Sequence, residues 1–197
     1  MPAPSRLLLL LLAPLLLAAC ANQAPPRPNY PELSFAHLPP IKLDVAEIAV
    51  EQSYQPPGKA PNVEHLFPAR PAAAAKAWAR GRLVAAGPTG RARYIVRQAS
   101  VVETPLETQG GLTGAVTIDQ SERYDALIVV EIQIIAADGS RLGTATVEAR
   151  RSRTVPENAS LNERERAWYE MTKDLMADLD AQLDRTIKTV FFKHLII

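Results

Sequence analysis

Apolar and polar positions alternate most clearly over residues 124–135. Ala126, Ile128, Val130, Ile132 and Ile134 mark one face, while Glu131 and Gln133 make the other partly wet and Leu127 and Val129 make it partly apolar. A period of two is the signature of a strand with one buried face. Asp138-Gly139 follows, the strongest short hairpin signal. The return strand, Leu142 to Arg153, puts Ala145, Val147 and Ala149 on one face and Thr144, Thr146 and Glu148 on the other. Upstream, Arg91 to Glu103 alternates through Ala92, Tyr94 and Val96, then resumes in the other phase at Ala99 and Val101. Such a slip predicts a β-bulge near Arg97-Gln98. A first strand is expected over Leu43 to Val50, with a slip between Val45 and Ile48. Pro56, Pro57, Gly58 and Pro61 end it.

Two stretches change to helical spacing. Pro71 suits a first helical turn, and the alanine-rich run Ala72 to Ala86 offers Ala74, Ala75, Trp78, Leu83 and Ala85 as one apolar face. The second begins at Ser160-Leu161-Asn162-Glu163, a capping box. Trp168, Leu175, Leu179, Leu183, Ile187 and Val190 then form a stripe flanked by Met171, Met176 and Phe191. About 30 helical residues would reach about 45 Å, longer than a compact domain of this size is wide. The apolar end, Val190 to Ile197, must therefore fold back or project, and it needs a partner surface. The order strand, helix, strand, strand, strand, helix predicts an α+β fold. The expected architecture is a four-stranded, mainly antiparallel sheet with two helices packed on one face.

The N-terminal stretch reads differently. One basic residue, Arg6, precedes the apolar run Leu7 to Ala19, which contains Pro14 and ends in Leu17-Ala18-Ala19-Cys20. The run is too short for a bilayer core, which needs roughly 20 residues, but it has the parts of a secretory signal peptide. It resembles the precursors of bacterial lipoproteins. The resemblance implies that the Cys20 thiol receives a diacylglycerol, that cleavage falls between Ala19 and Cys20, and that two or three acyl chains then anchor the protein. Ala21, not aspartate, follows the cysteine, and the resemblance to the sorting pattern of Gram-negative lipoproteins implies the outer membrane rather than the inner one. Three regions follow: 1–19 a signal peptide, 20–40 a proline-rich tether, 41–197 a periplasmic domain. A proline-rich tether of some 20 residues could hold the domain about 60 Å from the membrane. Tyr30, Leu33, Phe35 and Leu38 interrupt it, and its back half is a candidate strap across the domain.

Charge narrows the possibilities. Of 22 basic and 21 acidic residues, only Arg6 lies in the leader, so the expected mature chain is neutral. It lacks the basic excess of a nucleic-acid-binding domain. With one cysteine there is no internal disulfide. His37, His65 and His194 have no metal-ligand spacing. Gly110-Gly111-Leu112-Thr113-Gly114 lacks the lysine of a phosphate-binding loop. Asp119, Glu122 and Asp125 do not have calcium-loop spacing. Asp174, Asp178, Asp180 and Asp184 read as a solvated helix face, and no serine lies in a nucleophile elbow. Neither an enzyme nor a cofactor or metal is expected. The remaining candidates for partner or anion binding are two arginine rows, Arg91, Arg93, Arg97 and Arg150, Arg151, Arg153, with Phe191 and Phe192. Arginine forks suit carboxylates and phosphates. If the rows neighbour each other they form a cationic patch; the alternative is edge protection by charge.

The lipobox, tether, element order and long last helix together resemble the auxiliary lipoproteins of envelope ABC-type transport systems, including the class that plugs the lipopolysaccharide-export barrel. The likeness spans about residues 41–192 and rests on the order of elements. It implies a non-catalytic subunit of an envelope complex that helps move lipid, with an apolar groove between helices and sheet. Pro61 to Pro68 and Asp119 to Asp125 also resemble a group of uncharacterised alphaproteobacterial lipoproteins. A structural lipoprotein that scaffolds outer-membrane protein complexes is the other reading.

Overall fold

A computed structural model describes residues 28–107 and 120–196. The expected loop Gly110 to Gly114, Asp119, and the lipobox lie outside the described residues.

Among the described residues, six strands and two α-helices follow in the order β1 (Ile41–Leu43), β2 (Glu47–Gln52), α1 (Pro71–Arg82), β3 (Leu83–Ala85), β4 (Arg91–Pro105), β5 (Gln120–Ile135), β6 (Arg141–Pro156) and α2 (Leu161–Val190). The main sheet has the order β2-β4-β5-β6. β4 and β6 run antiparallel to β5, but β2 runs parallel to β4. The sheet is thus mixed rather than mainly antiparallel. The reason is α1: a helical crossover returns the chain to the end of the sheet where it started, so the strands on either side of it point the same way.

The first strand divides in two. The phase slip expected inside one strand is a change of sheet. β1 pairs in parallel with β3 in a separate two-stranded sheet, while β2 joins the main one. Leu83–Ala85, expected as the end of the first helix, is extended and forms β3. The β4 bulge falls between Val96 and Gln98, as the sequence predicts. It moves Ala99 and Val101 onto the face held before it by Ala92, Tyr94 and Val96, and all five are buried.

Both helices pack on that face. Trp78 of α1 stacks on Tyr94, ring centroids 5.7 Å apart. Leu175, Leu179, Leu183 and Ile187 of α2 are fully buried with Ile128, Val130 and Val147. Each such aliphatic side chain contributes about 1.5–3 kcal/mol on burial. At the far end Phe67 stacks on Trp168 at 5.1 Å, and Tyr124 meets Trp168 edge-on. The capping box forms in full: the Glu163 amide donates to Ser160 Oγ, and the Ser160 amide donates to Glu163 Oε2 at 2.8 Å.

Two segments close over this framework. After α2 the chain folds back. The Asp44 amide donates to the His194 carbonyl and the Ile196 amide to that of Lys42, so the tail flanks β1. Phe191 is buried, whereas Val190, expected in the core stripe, is exposed, because the helix ends there and Phe191 turns inward instead. Residues 28–40 form the strap. Tyr30 Oη donates to the Asn162 carbonyl and Tyr169 Oη to that of Pro31. Leu33 and Phe35 pack on the core, and Arg82 donates to the Pro39 carbonyl. Gly81 permits the crossing: a Cβ there would lie 3.2 Å from the Ala36 amide nitrogen.

Candidate functional site

The two arginine rows do not meet. β5 lies between β4 and β6, and the side chains divide between two faces. On the face away from the helices, Arg93 grips Glu51 with two hydrogen bonds, at 2.7 and 2.6 Å, and donates a third to Gln133 Oε1. Arg97 bonds Glu131 at 2.8 Å, and Gln133 donates to the same carboxylate. These five residues form one chain across β2, β4 and β5. Ile95, in register with Glu51 and Glu131, is buried on this face, which Leu127 and Val129 also make partly apolar. The Arg93 hydrogen bond holds the Glu51 carboxyl below the ordinary carboxylate range. The hydrogen bonds from Arg97, then Gln133, do the same for Glu131.

In the second row, Arg150 pairs with Glu148 at 2.5 Å. Arg151 and Arg153 turn to the helix side instead. Arg151 meets Asp178 at 2.6 Å, and Arg153 donates to the Ala167 carbonyl and lies 3.8 Å from Asp174. Five of the six arginines therefore hold a carboxylate partner. Arg91 is exposed beside Glu47 and Ile135 at a shallow cavity. Phe191 belongs to the core and Phe192 is exposed, so these two do not form a pair.

The acids read as a solvated face on α2 include a pair that the sequence did not single out. Arg82 is almost fully buried. Its Nε bonds Asp180 Oδ1 at 3.1 Å, its Nη2 bonds Asp184 Oδ1 at 2.9 Å, and Trp78 Nε1 donates to the same Asp180 oxygen at 2.6 Å. The clue available in sequence was the i, i+4 spacing of the two aspartates. This cluster ties α1, α2 and the strap together. Glu64 has a similar role: buried, it accepts from Tyr54 Oη at 2.8 Å and from the Val101 amide at 3.1 Å. Burial, then that hydrogen bond, raises the Tyr54 phenol above its ordinary ionisation range. Of the closely spaced acids near the second loop, Glu122 meets Arg164 and Tyr124, and Asp125 meets Arg123. Among the described residues no group of side chains has a metal-holding arrangement, and no helix is long and apolar enough to cross a membrane.

A concavity that no sequence pattern marks lies beside α1. The strap and α1 enclose a groove of about 540 Å³. Ala73 and Ala77 line it, with Lys76 and Arg80 on the same side of the helix, Arg70 at its entry, and Tyr30, Glu32 and Leu33 on the strap wall. The spacing of Ala73, Lys76, Ala77 and Arg80 is i, i+3, i+4, i+7, one helix face. The alanines keep it shallow and the three cations rim it. By contrast, the space between helices and sheet is filled by core side chains.

Neither a protein-family model nor a curated protein sequence matches the chain. Among solved structures it is similar to the rare lipoprotein B from Shewanella oneidensis, at 15% identity and a TM-score of 0.38, over 73% of this chain and 95% of that one. A minor lipoprotein from Acinetobacter baumannii gives 15% identity and a TM-score of 0.38, over 74% and 92%. An uncharacterised lipoprotein B from Nitrosomonas europaea gives 13% and 0.37, over 74% and 87%. At these values the likeness assigns no activity.

Proposed function

We propose that this chain is a bacterial envelope lipoprotein, anchored by lipid at Cys20 on the periplasmic side of the outer membrane. In this reading it serves as a non-catalytic accessory subunit of an envelope lipid-transport system of the ABC type. The observation that carries the anchoring is the placement of Leu17-Ala18-Ala19-Cys20 shortly before a docked strap. Only residues 20–27 separate the cysteine from the described chain. At most about 3.6 Å per residue is available to them, so they span less than about 30 Å. The domain would then ride close to the bilayer, well inside the 60 Å that a wholly free tether would allow. The site chemistry agrees with a non-catalytic role: the arginines and acids described above pair with one another and hold elements together.

A scaffold for outer-membrane protein complexes is the second reading. One observation favours it: the helix–sheet interface is filled, so lipid would have to pass along the surface rather than between the layers. The test is to express the tagged full chain in a bacterium and measure its intact mass beside a Cys20→Ser variant, then cross-link in cells and identify what is captured. Acyl mass on the parent alone supports anchoring; a parent without it overturns it. Capture of ABC-transporter subunits supports the accessory role. Capture of outer-membrane assembly proteins alone replaces that role with the scaffold.

A further inference from the structure

We infer that the groove between the strap and α1 seats the anionic headgroups of the membrane to which the chain is anchored. The inference deepens the anchoring reading and rests on it. Its first support is position. Tyr30 forms part of the groove wall, and the chain leaves the described domain just before it, at Pro28. With residues 20–27 as the only link to Cys20, the rim bearing Tyr30 is held within that link's reach of the lipid surface. The outer face of the sheet, with its Glu51, Arg93, Gln133, Glu131 and Arg97 chain, lies across the sheet from both helices and from the strap.

The second support is charge. Arg70, Lys76 and Arg80 converge on the groove, and the one acid among its lining residues is Glu32. Among the described residues no ion pair engages any of the three cations. This sets them apart from Arg93, Arg97, Arg150, Arg151 and Arg153, which all have carboxylate partners. Guanidinium forks bind phosphate oxygens with two parallel hydrogen bonds, and an ammonium adds a point charge. Basic side chains at a membrane surface gain from its negative potential within about a Debye length. The third support is shape. Ala73 and Ala77 present methyl groups between the cations, so a headgroup reaches the helix without displacing a large side chain, and the glycerol carbons meet an apolar floor.

The test uses the lipidated full chain in two sets of vesicles, phosphatidylcholine alone and phosphatidylcholine with phosphatidylglycerol. Both carry a trace of phospholipid with a photoactivatable headgroup, and cross-linked peptides are mapped by mass spectrometry. The expected result is labelling of residues 70–82 and of the strap in the anionic vesicles, falling in neutral vesicles and in high salt. The variant Arg70→Gln, Lys76→Gln, Arg80→Gln, all on the surface, should lose that labelling while keeping the parent's circular dichroism. If that variant fails to fold, the salt and lipid dependence of the parent decides the matter. Labelling of α1 that is equal in both vesicles, or labelling confined to the outer face of the sheet, overturns the inference and leaves anchoring intact, since the protein still floats with the vesicles. A chain that carries no acyl mass and does not float overturns both.

Discussion

The ring of Phe191 rests on Gly143: a Cβ built on the glycine would come within 2.9 Å of the ring's Cε1. Phe191 is fully buried, so its ring has no solvent to swing into. Gly143→Ala should therefore overpack the site and cost about 1–3 kcal/mol. Phe191→Ala should cost about 3–5 kcal/mol through the cavity it leaves. Because the two residues touch, the costs should not add. Urea unfolding of both single variants and the double variant checks this, and strict additivity would show that the contact is not made.

Arg82 joins three elements, α1, α2 and the strap, through one side chain. Removing it as Arg82→Gln takes the guanidinium from Asp180 and Asp184, whose side chains are 22% and 29% exposed, and leaves them only Trp78 and Lys188 as partners. Water can reach them in part, so the loss should be about 2–3 kcal/mol, less than the 3–5 typical of a fully buried pair. The strap should loosen as well, since Arg82 also holds the Pro39 carbonyl. Amide exchange at Leu38 should quicken; unchanged exchange there would separate the strap from the cluster.

Glu51 and Glu131 both ionise below the ordinary carboxylate value of 4.5 in the folded protein. The folded state thus holds their protons less tightly than the unfolded chain does. Their contribution to stability is present above 4.5 and is lost as pH falls below it. Arg93→Gln and Arg97→Gln should flatten the acid limb of a plot of urea midpoint against pH. Both pairs are largely at the surface, so added salt should shrink the effect. An acid limb unchanged by either substitution would rule out these pairs as its source.

Leu179 is fully buried on the sheet-facing side of α2. Leu179→Asp places an unpaired charge in the core and should cost at least about 4 kcal/mol, enough to unfold a domain of ordinary stability. Circular dichroism and size-exclusion chromatography would show this directly; a folded monomeric variant would contradict the packing described for α2.

Much of the framework is legible in the chain because it depends on local pattern. The β5 alternation, the Asp138-Gly139 hairpin, the Val96/Gln98 bulge and the Ser160–Glu163 box each need only neighbouring residues. Strand direction does not leave such a trace: Ile48 and Val50 alternate in the same way whether β2 runs with β4 or against it. The break between Val45 and Ile48 shows a change of phase but cannot show a change of sheet. Leu83–Ala85 continues a helical run of alanines, and only its pairing with β1 makes it extended. The arginine rows fail as a patch for the same reason. Glu51 lies 42 residues from Arg93, and Asp178 lies 27 from Arg151; no spacing rule connects them. The groove beside α1 leaves no trace in the sequence, because nothing in the alanine-rich run distinguishes Ala73 and Ala77 until the strap is seen beside them.

The strap also bears on how the protein would respond to pulling. For a chain held by lipid at Cys20, tension first meets Tyr30 and Pro31 on α2, then the Pro39 carbonyl on Arg82. These are a few hydrogen bonds and two partly buried side chains, Leu33 and Phe35, rather than strands of the main sheet. They should peel before β4, β5 or β6 is disturbed. Peeling would release residues 28–40, so that the chain from Cys20 to Pro40 could reach about 65 Å in extended proline-rich form. The strap would then act as a mechanical fuse, paying out length under load while the α+β body stays folded.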